Sequence, residues 1–296
     1  MKYATAAAFR TALEQRLLNL SREADIPLIR LRKIIVFDRL IARLVAVAPD
    51  RWLLKGAAAL IFRIGPTFRT TKDLDLGRWD DEQAATQDFI EAQSLELDDH
   101  FDFTIEVTDR VKSEEGKAVR YHATANLGGR KFEDITIDVG FAVLKYETSE
   151  ALAGLDLLGF ADIEPVQLLV LAIEDHVAQK VHAYTKTYGS GIASTRTKDL
   201  IDLVLISQQF DFRSDRLRQA LVNTFEARDT HVLPPELPPP PADWEAPYQK
   251  MAAETGLVAR LDSGYQSAAN FLNPILGSSV PGDSIWSASN PSWQVP

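Results

Sequence analysis

The chain has no cysteine among its 296 residues and only 2 methionines. Disulfides and thiolate-ligated zinc are therefore excluded, and a reducing compartment suits the composition. No uninterrupted apolar run reaches the roughly 20 residues needed to cross a bilayer. The opening Met1-Lys2-Tyr3-Ala4-Thr5-Ala6 also lacks the apolar stretch of a secretory signal. The expectation is a soluble, intracellular protein with no membrane partner. An excess of positive charge is missing too: the formal net charge is −10, which argues against a surface that coats nucleic acid everywhere. The imbalance is uneven, since residues 1–72 hold 14 Lys or Arg against 5 Asp or Glu and the remainder 18 against 37. That polarity allows a local basic face beside a broad acidic one. Hydrophobic residues at 46% and charged residues at 25% are ordinary for a globular chain long enough for one large domain or two.

What is present centres on Leu53-Leu54-Lys55-Gly56-Ala57-Ala58-Ala59-Leu60 and on Arg69-Thr70-Thr71-Lys72-Asp73-Leu74-Asp75-Leu76. A glycine turn opening a short alanine-rich helix leaves backbone N–H groups unpaired at the helix start, where a phosphate binds well. Asp73 follows Gly56 by 17 residues. In an extended segment alternate side chains share a face, so Asp73 and Asp75 point one way while Leu74 and Leu76 enter a core. Two carboxylates held that close repel, and a divalent cation bound by hard oxygen ligands and substrate phosphates relieves the repulsion. A solvated strand edge is the competing explanation for the same pair.

Along the rest of the chain, residues 4–24 read as an amphipathic helix with Phe9, Leu13, Leu17 and Leu20 on one stripe. A second helix over about 27–48 carries Arg32, Arg39 and Arg43 along one face, either a solvated helix surface or a rail for RNA. After the segment around Asp73, an acidic helix near 80–93 precedes a middle region of alternating strands. These hold Phe101, Phe103, Ile105 and Val107, then Val119, Tyr121, Ala123 and Ala125, then Ile135-Thr136-Ile137-Asp138-Val139. That is the period of half-buried antiparallel strands. Asp138 faces away from Ile135 and Ile137, so it is a third candidate carboxylate or a surface aspartate. A helical pattern is predicted from Glu164 to Tyr188, with His176 and Lys180 one turn apart, and another helix from about Lys198 places Asp199 and Asp202 on one side. From Leu233 to Pro241 a proline-rich run predicts a stiff spacer, followed by a helical stretch over about 243–272 and a loosely ordered tail. Three parts result: 1–150, 151–232 and 233–296.

Three separated segments in this order resemble the AbiEii-type nucleotidyltransferase toxins of bacterial toxin–antitoxin and phage-defence systems, a branch of the polymerase-β-like superfamily. The first is Leu54 to Leu60 with Arg69 and Asp73-Leu74-Asp75-Leu76; Ala57 stands where the family usually has a second glycine. The second is Ala178-Gln179-Lys180-Val181-His182-Ala183-Tyr184, similar to the family's lysine-bearing helix. The third is Lys198-Asp199-Leu200-Ile201-Asp202-Leu203, similar to its Arg-Asp-Leu-Tyr-Asp-Leu segment with Lys for Arg.

The resemblance implies an α+β fold: a mixed, mainly antiparallel sheet flanked by helices, with a helical C-terminal region. It implies Mg²⁺-dependent transfer of NMP from an NTP to an RNA acceptor, the 3′ end of tRNA in better understood relatives, and restraint by an antitoxin. Asp73 and Asp75, with Asp138, would hold the metal; Lys180 would meet the triphosphate; Gly56, Ala57, Lys55 and Arg69 would receive phosphate; Asp202 would orient Lys180, position the acceptor or bind metal. Thr71 lies close enough to this site for a charged modification there to repel triphosphate. Two other readings share these residues. One is a nucleotidyltransferase acting on a small molecule or a protein; the other is a non-catalytic nucleotide- or partner-binding module.

Overall fold

The computed structural model describes residues 2–113, 116–141, 148–187 and 196–295. They fall into two compact units, one made of the described residues of 1–145 and 149–171, the other of Thr148 and those of 172–296.

In the first unit a seven-stranded sheet has the order β3-β4-β5-β2-β1-β7-β6. The strands are β1 (Leu53–Lys55), β2 (Asp73–Gly77), β3 (Phe101–Ser113), β4 (Gly116–Leu127), β5 (Arg130–Gly140), β6 (Ser149–Ala153) and β7 (Gln167–Leu171). β2 runs parallel to β5 and β1 parallel to β7, and the other neighbours are antiparallel, so the sheet is mixed and mainly antiparallel. The period-2 pattern sends Leu74, Leu76, Tyr121, Ile135, Ile137 and Val139 into the core. There they meet α1 (Ala6–Glu23), α2 (Leu28–Val47) and α4 (Glu82–Ser94) through Phe9, Leu13, Ile35, Leu40 and Phe89. Thr5 and Asp81 cap α1 and α4 by accepting from the N–H groups of Ala8 and Ala84.

The arginines of α2 are neither a solvated face nor an RNA rail. Arg39 and Arg43 are buried, at 4% and 1% exposure. Arg43 donates through both terminal nitrogens to Asp99 at 2.8 Å and also to the Phe101 carbonyl, while Arg39 pairs with Asp38. Arg32 is satisfied by Glu14 at 2.7 Å. A spacing of seven and four aligns these residues along α2, where Arg39 and Arg43 pack inward, Arg39 against Asp38 of the same helix and Arg43 against Asp99.

The pattern read as one helix from Glu164 divides. Residues 167–171 form β7, whose Leu169 and Val170 pair with Leu53 and Leu54 of β1, and the helix α5 starts only at Ile173 and ends at Thr185. A continuous apolar run suits a strand buried on both faces as well as it suits a buried helix, and parallel pairing to β1 decides it.

The second unit contains α5, α6 (Thr197–Gln209), α7 (Ser214–Arg228), α8 (Glu245–Thr255) and α9 (Leu261–Leu276), with a small sheet of β8 (Phe212–Arg213), β9 (Ile285–Ser287) and β10 (Ser292–Gln294). The stretch expected as one helix over 243–272 breaks after α8 at Gly256, whose φ of 72° is left-handed. The proline-rich run is packed rather than a free spacer: Leu237 is fully buried, its N–H donates to Asn273 Oδ1, and its carbonyl accepts from the Tyr265 hydroxyl. Nor is the tail loose. Trp286 in β9 is buried against Phe271 and donates from Nε1 to the Ser207 carbonyl at 2.7 Å, and Trp293 stacks on Phe271. No helix among the described residues is long and apolar enough to cross a membrane.

Candidate active site

In the first unit the site is built by three strands and one turn. β1 ends at Lys55, and Gly56 opens α3 (Gly56–Ile64) with φ +60°. An L-residue adopts that conformation only under strain. Space imposes a second demand, because a Cβ on Gly56 would fall on the carboxylate of Asp75. The Asp75 side chain thus lies directly on the α-carbon that begins α3. Lys55, the N-cap residue, gives no side-chain hydrogen bond to the helix start. The cradle of backbone N–H groups and a β2 carboxylate are therefore immediate neighbours. Ala57 is buried in the first turn.

Strand register supplies the rest. Asp75 is opposite Lys55 on one side and Asp138 on the other; Asp73, two residues earlier on the same face, is opposite Thr136. Asp73, Asp75 and Asp138 are half-buried. Asp138 is taken up by Arg120 of β4, which donates from Nε at 2.7 Å and Nη2 at 2.8 Å. Those bonds and the Asp138 charge, with a further contribution from Asp73, raise the pKa of Arg120. Arg120 was not singled out in the sequence. Its only signal there was its place on the polar side of a strand whose pairing with β5 was unknown.

Arg69 is buried, its guanidinium 5.8 Å from the Phe68 ring and one nitrogen donating to the Thr70 carbonyl at 3.2 Å. The Thr71 hydroxyl donates to the Asp73 carbonyl at 3.2 Å and accepts from its N–H at 3.4 Å, so it shapes the entry to β2.

The second unit gathers the remaining candidates. Lys180 on α5 is 6% exposed, its Nζ 2.5 Å from Asp202 Oδ2 and 3.5 Å from Asp199 Oδ1. Both acids project from the first turns of α6, and Asp199 accepts in addition from Arg196 Nε at 2.5 Å. Asp202 is fully buried, so it is a partner for Lys180 and not a decoration of the helix start. Two turns of α5 and the spacing of α6 thus place one ammonium between two carboxylates.

Among the described residues no three His, Cys, Asp or Glu are grouped closely enough to hold a metal ion. The donor set still suits Mg²⁺, which takes one or two carboxylates together with substrate phosphates and waters. Asp73 and Asp75 meet that requirement beside a phosphate cradle.

The profile of the nucleotidyl transferase AbiEii toxin family, of type IV toxin–antitoxin systems, matches residues 39–270. No curated protein matches the sequence. Among solved structures, MenT4, a nucleotidyltransferase toxin from Mycobacterium tuberculosis H37Rv, is 18% identical over 72% of this chain and 68% of its own, with a TM-score of 0.51. A putative nucleotidyltransferase from H. pylori is 15% identical over 83% of this chain and 96% of its own, with a TM-score of 0.48. At 18% identity the likeness to MenT4 is one of fold.

Proposed function

The chain belongs to the nucleotidyl transferase AbiEii toxin family, and from that premise we propose that it transfers a nucleotidyl group from an NTP to an RNA acceptor in the cytosol. The observation that carries the reading is the contact between Asp75 and Gly56. It joins a carboxylate to a helix N-terminus, the pair of features that a metal-bound triphosphate requires.

Asp73 and Asp75 would hold a divalent cation, Mg²⁺ by the hardness of its oxygen ligands. When bound, that cation lowers the pKa of the acceptor hydroxyl and steadies charge on the entering and leaving oxygens. The N–H groups of Gly56 and Ala57 receive a phosphate, with Lys55 alongside. The acceptor oxygen bonds to the α-phosphorus as the bond to the bridging oxygen breaks and pyrophosphate departs; the hydroxyl proton passes to one of the β2 carboxylates. By the family resemblance of its segment, Lys180 would be the cation that offsets charge on the pyrophosphate, its position fixed by Asp202 and Asp199. Its support is the family resemblance of the segment around it together with its two carboxylate partners.

The 3′ end of tRNA is the acceptor we favour, because addition there blocks aminoacylation and halts growth, as befits a toxin; an antitoxin encoded with it restrains the activity. The experiment supplies each α-labelled NTP with Mg²⁺ and total cellular RNA, then with purified small acceptors. Incorporation into RNA is expected, and Asp73→Ala or Asp75→Ala is expected to abolish it while the far-UV circular dichroism is kept. Label entering only a small molecule would replace the acceptor, and label entering nothing would leave a binding module.

A further inference from the structure

Five neighbouring strands carry a row of charges across the sheet: Asp109 on β3 is opposite Arg120 on β4, Arg120 opposite Asp138 on β5, Asp138 opposite Asp75 on β2, and Asp75 opposite Lys55 on β1. Signs alternate along this row except at Asp138 and Asp75. Like charges directly opposite one another in a sheet repel, and a cation brought onto Asp138 eases that repulsion. Arg120 compensates it by turning a bidentate fork onto Asp138, and it does so at the surface, with 46% of its side chain exposed against 30% for Asp138. An exposed pair of this kind is weak enough to be exchanged. The guanidinium fork also fits a phosphate as well as it fits a carboxylate.

We propose that Arg120 is an exchangeable counter-ion: it occupies Asp138 in the ligand-free protein, gives that carboxylate up to the divalent cation, and moves to a phosphate oxygen of the incoming nucleotide. This rests on the nucleotidyl-transfer reading for its last step only. The consequence is that the metal alone binds against competition from Arg120, whereas metal and nucleotide together are favoured by it.

The test titrates Mn²⁺ alone, followed by electron paramagnetic resonance, into the wild type, R120A, D138N and the double variant. It then titrates the α,β-methylene analogue of each of the four common NTPs in the presence of Mg²⁺. R120A is expected to bind Mn²⁺ about fivefold more tightly than the wild type, the order that an exposed bidentate pair supports. In the D138N background R120A is expected to change nothing, and R120A is expected to bind the analogue less tightly. An unchanged Mn²⁺ affinity in R120A overturns the proposal. So does an equal gain in the D138N background, which would mean simple charge repulsion without exchange, and so does undiminished analogue binding. Because Mn²⁺ binding is read without turnover, a protein that shows the exchange yet incorporates no label would sink the transfer reading and leave the counter-ion role standing.

Discussion

Gly56 is the residue on which the site turns. Substitution by alanine has two independent costs: a left-handed backbone that Ala adopts only under strain, and a methyl group placed on the Asp75 carboxylate. Gly56→Ala is expected to lower stability by about 1–3 kcal/mol in urea unfolding. Displacement of the carboxylate should cut labelled-NTP incorporation by about 100-fold or more. Lys180 poses the opposite problem, since its removal takes from the buried Asp202 the ammonium it is paired with. Lys180→Ala alone should cost about 3–5 kcal/mol. Lys180→Ala with Asp202→Ala is expected to regain most of the stability and none of the transferase activity; activity regained with it would reduce Lys180 to a structural lysine.

A histidine on the same helix gives a pH dependence. His182 is fully buried, and its Nδ1 faces Arg228, which only donates, so the ring proton sits on Nε2 and is donated to Thr230 Oγ1 at 2.8 Å. Burial, then the charges of Arg228 and neighbouring groups, push its pKa down to about 3. The unfolded chain, with an ordinary histidine near 6.5, therefore binds more protons between those two values. His182 imposes no penalty above about pH 6.5, and stability falls as pH drops below it, by about 2 kcal/mol at pH 5. Urea midpoints at pH 7 and 5 check this, and His182→Asn should flatten the difference. At this scale Asp73, Asp75 and Gly56 were legible in the sequence because alternation and turn chemistry are local. Arg120 was not, because its meaning comes from a strand pairing.

At the scale of elements, the same division between local and distant partners decides what could be read. β2 and α3 follow from their own residues: the Asp-Leu-Asp-Leu alternation and a glycine at each end of the helix. α2 did not, since the acid that answers Arg43 lies 56 residues away in sequence and no spacing within the helix announces it. Arg43→Ala should therefore act on folding and not on RNA binding, costing about 3 kcal/mol, because the buried Asp99 keeps only Arg39 at 3.7 Å and the Phe101 N–H. Weaker RNA binding at unchanged stability would restore the basic-rail reading. The C-terminal strands were hidden for another reason. Their Ser, Pro, Gly and Asn content is that of a loose tail, yet two tryptophans anchor them on α9 and α6. Trp286→Ala should cost about 3–5 kcal/mol, measured by thermal or urea unfolding.

For the whole molecule, net charge and family set different expectations about RNA. A chain at −10 whose α2 arginines are consumed internally is not suited to holding RNA tightly through its general surface. On the proposed function an RNA acceptor would then be selected at the site itself, with the bound nucleotide part of what it meets. The central claim is that the β2 carboxylates and the start of α3 make one metal-dependent triphosphate site. Calorimetric binding of α,β-methylene NTP analogues with and without Mg²⁺, to the wild type and to Asp75→Asn, tests it most directly. Binding by the wild type should require the metal, and the substitution should remove that requirement together with most of the affinity. Analogue binding of equal strength with and without Mg²⁺, unchanged in Asp75→Asn, would contradict it.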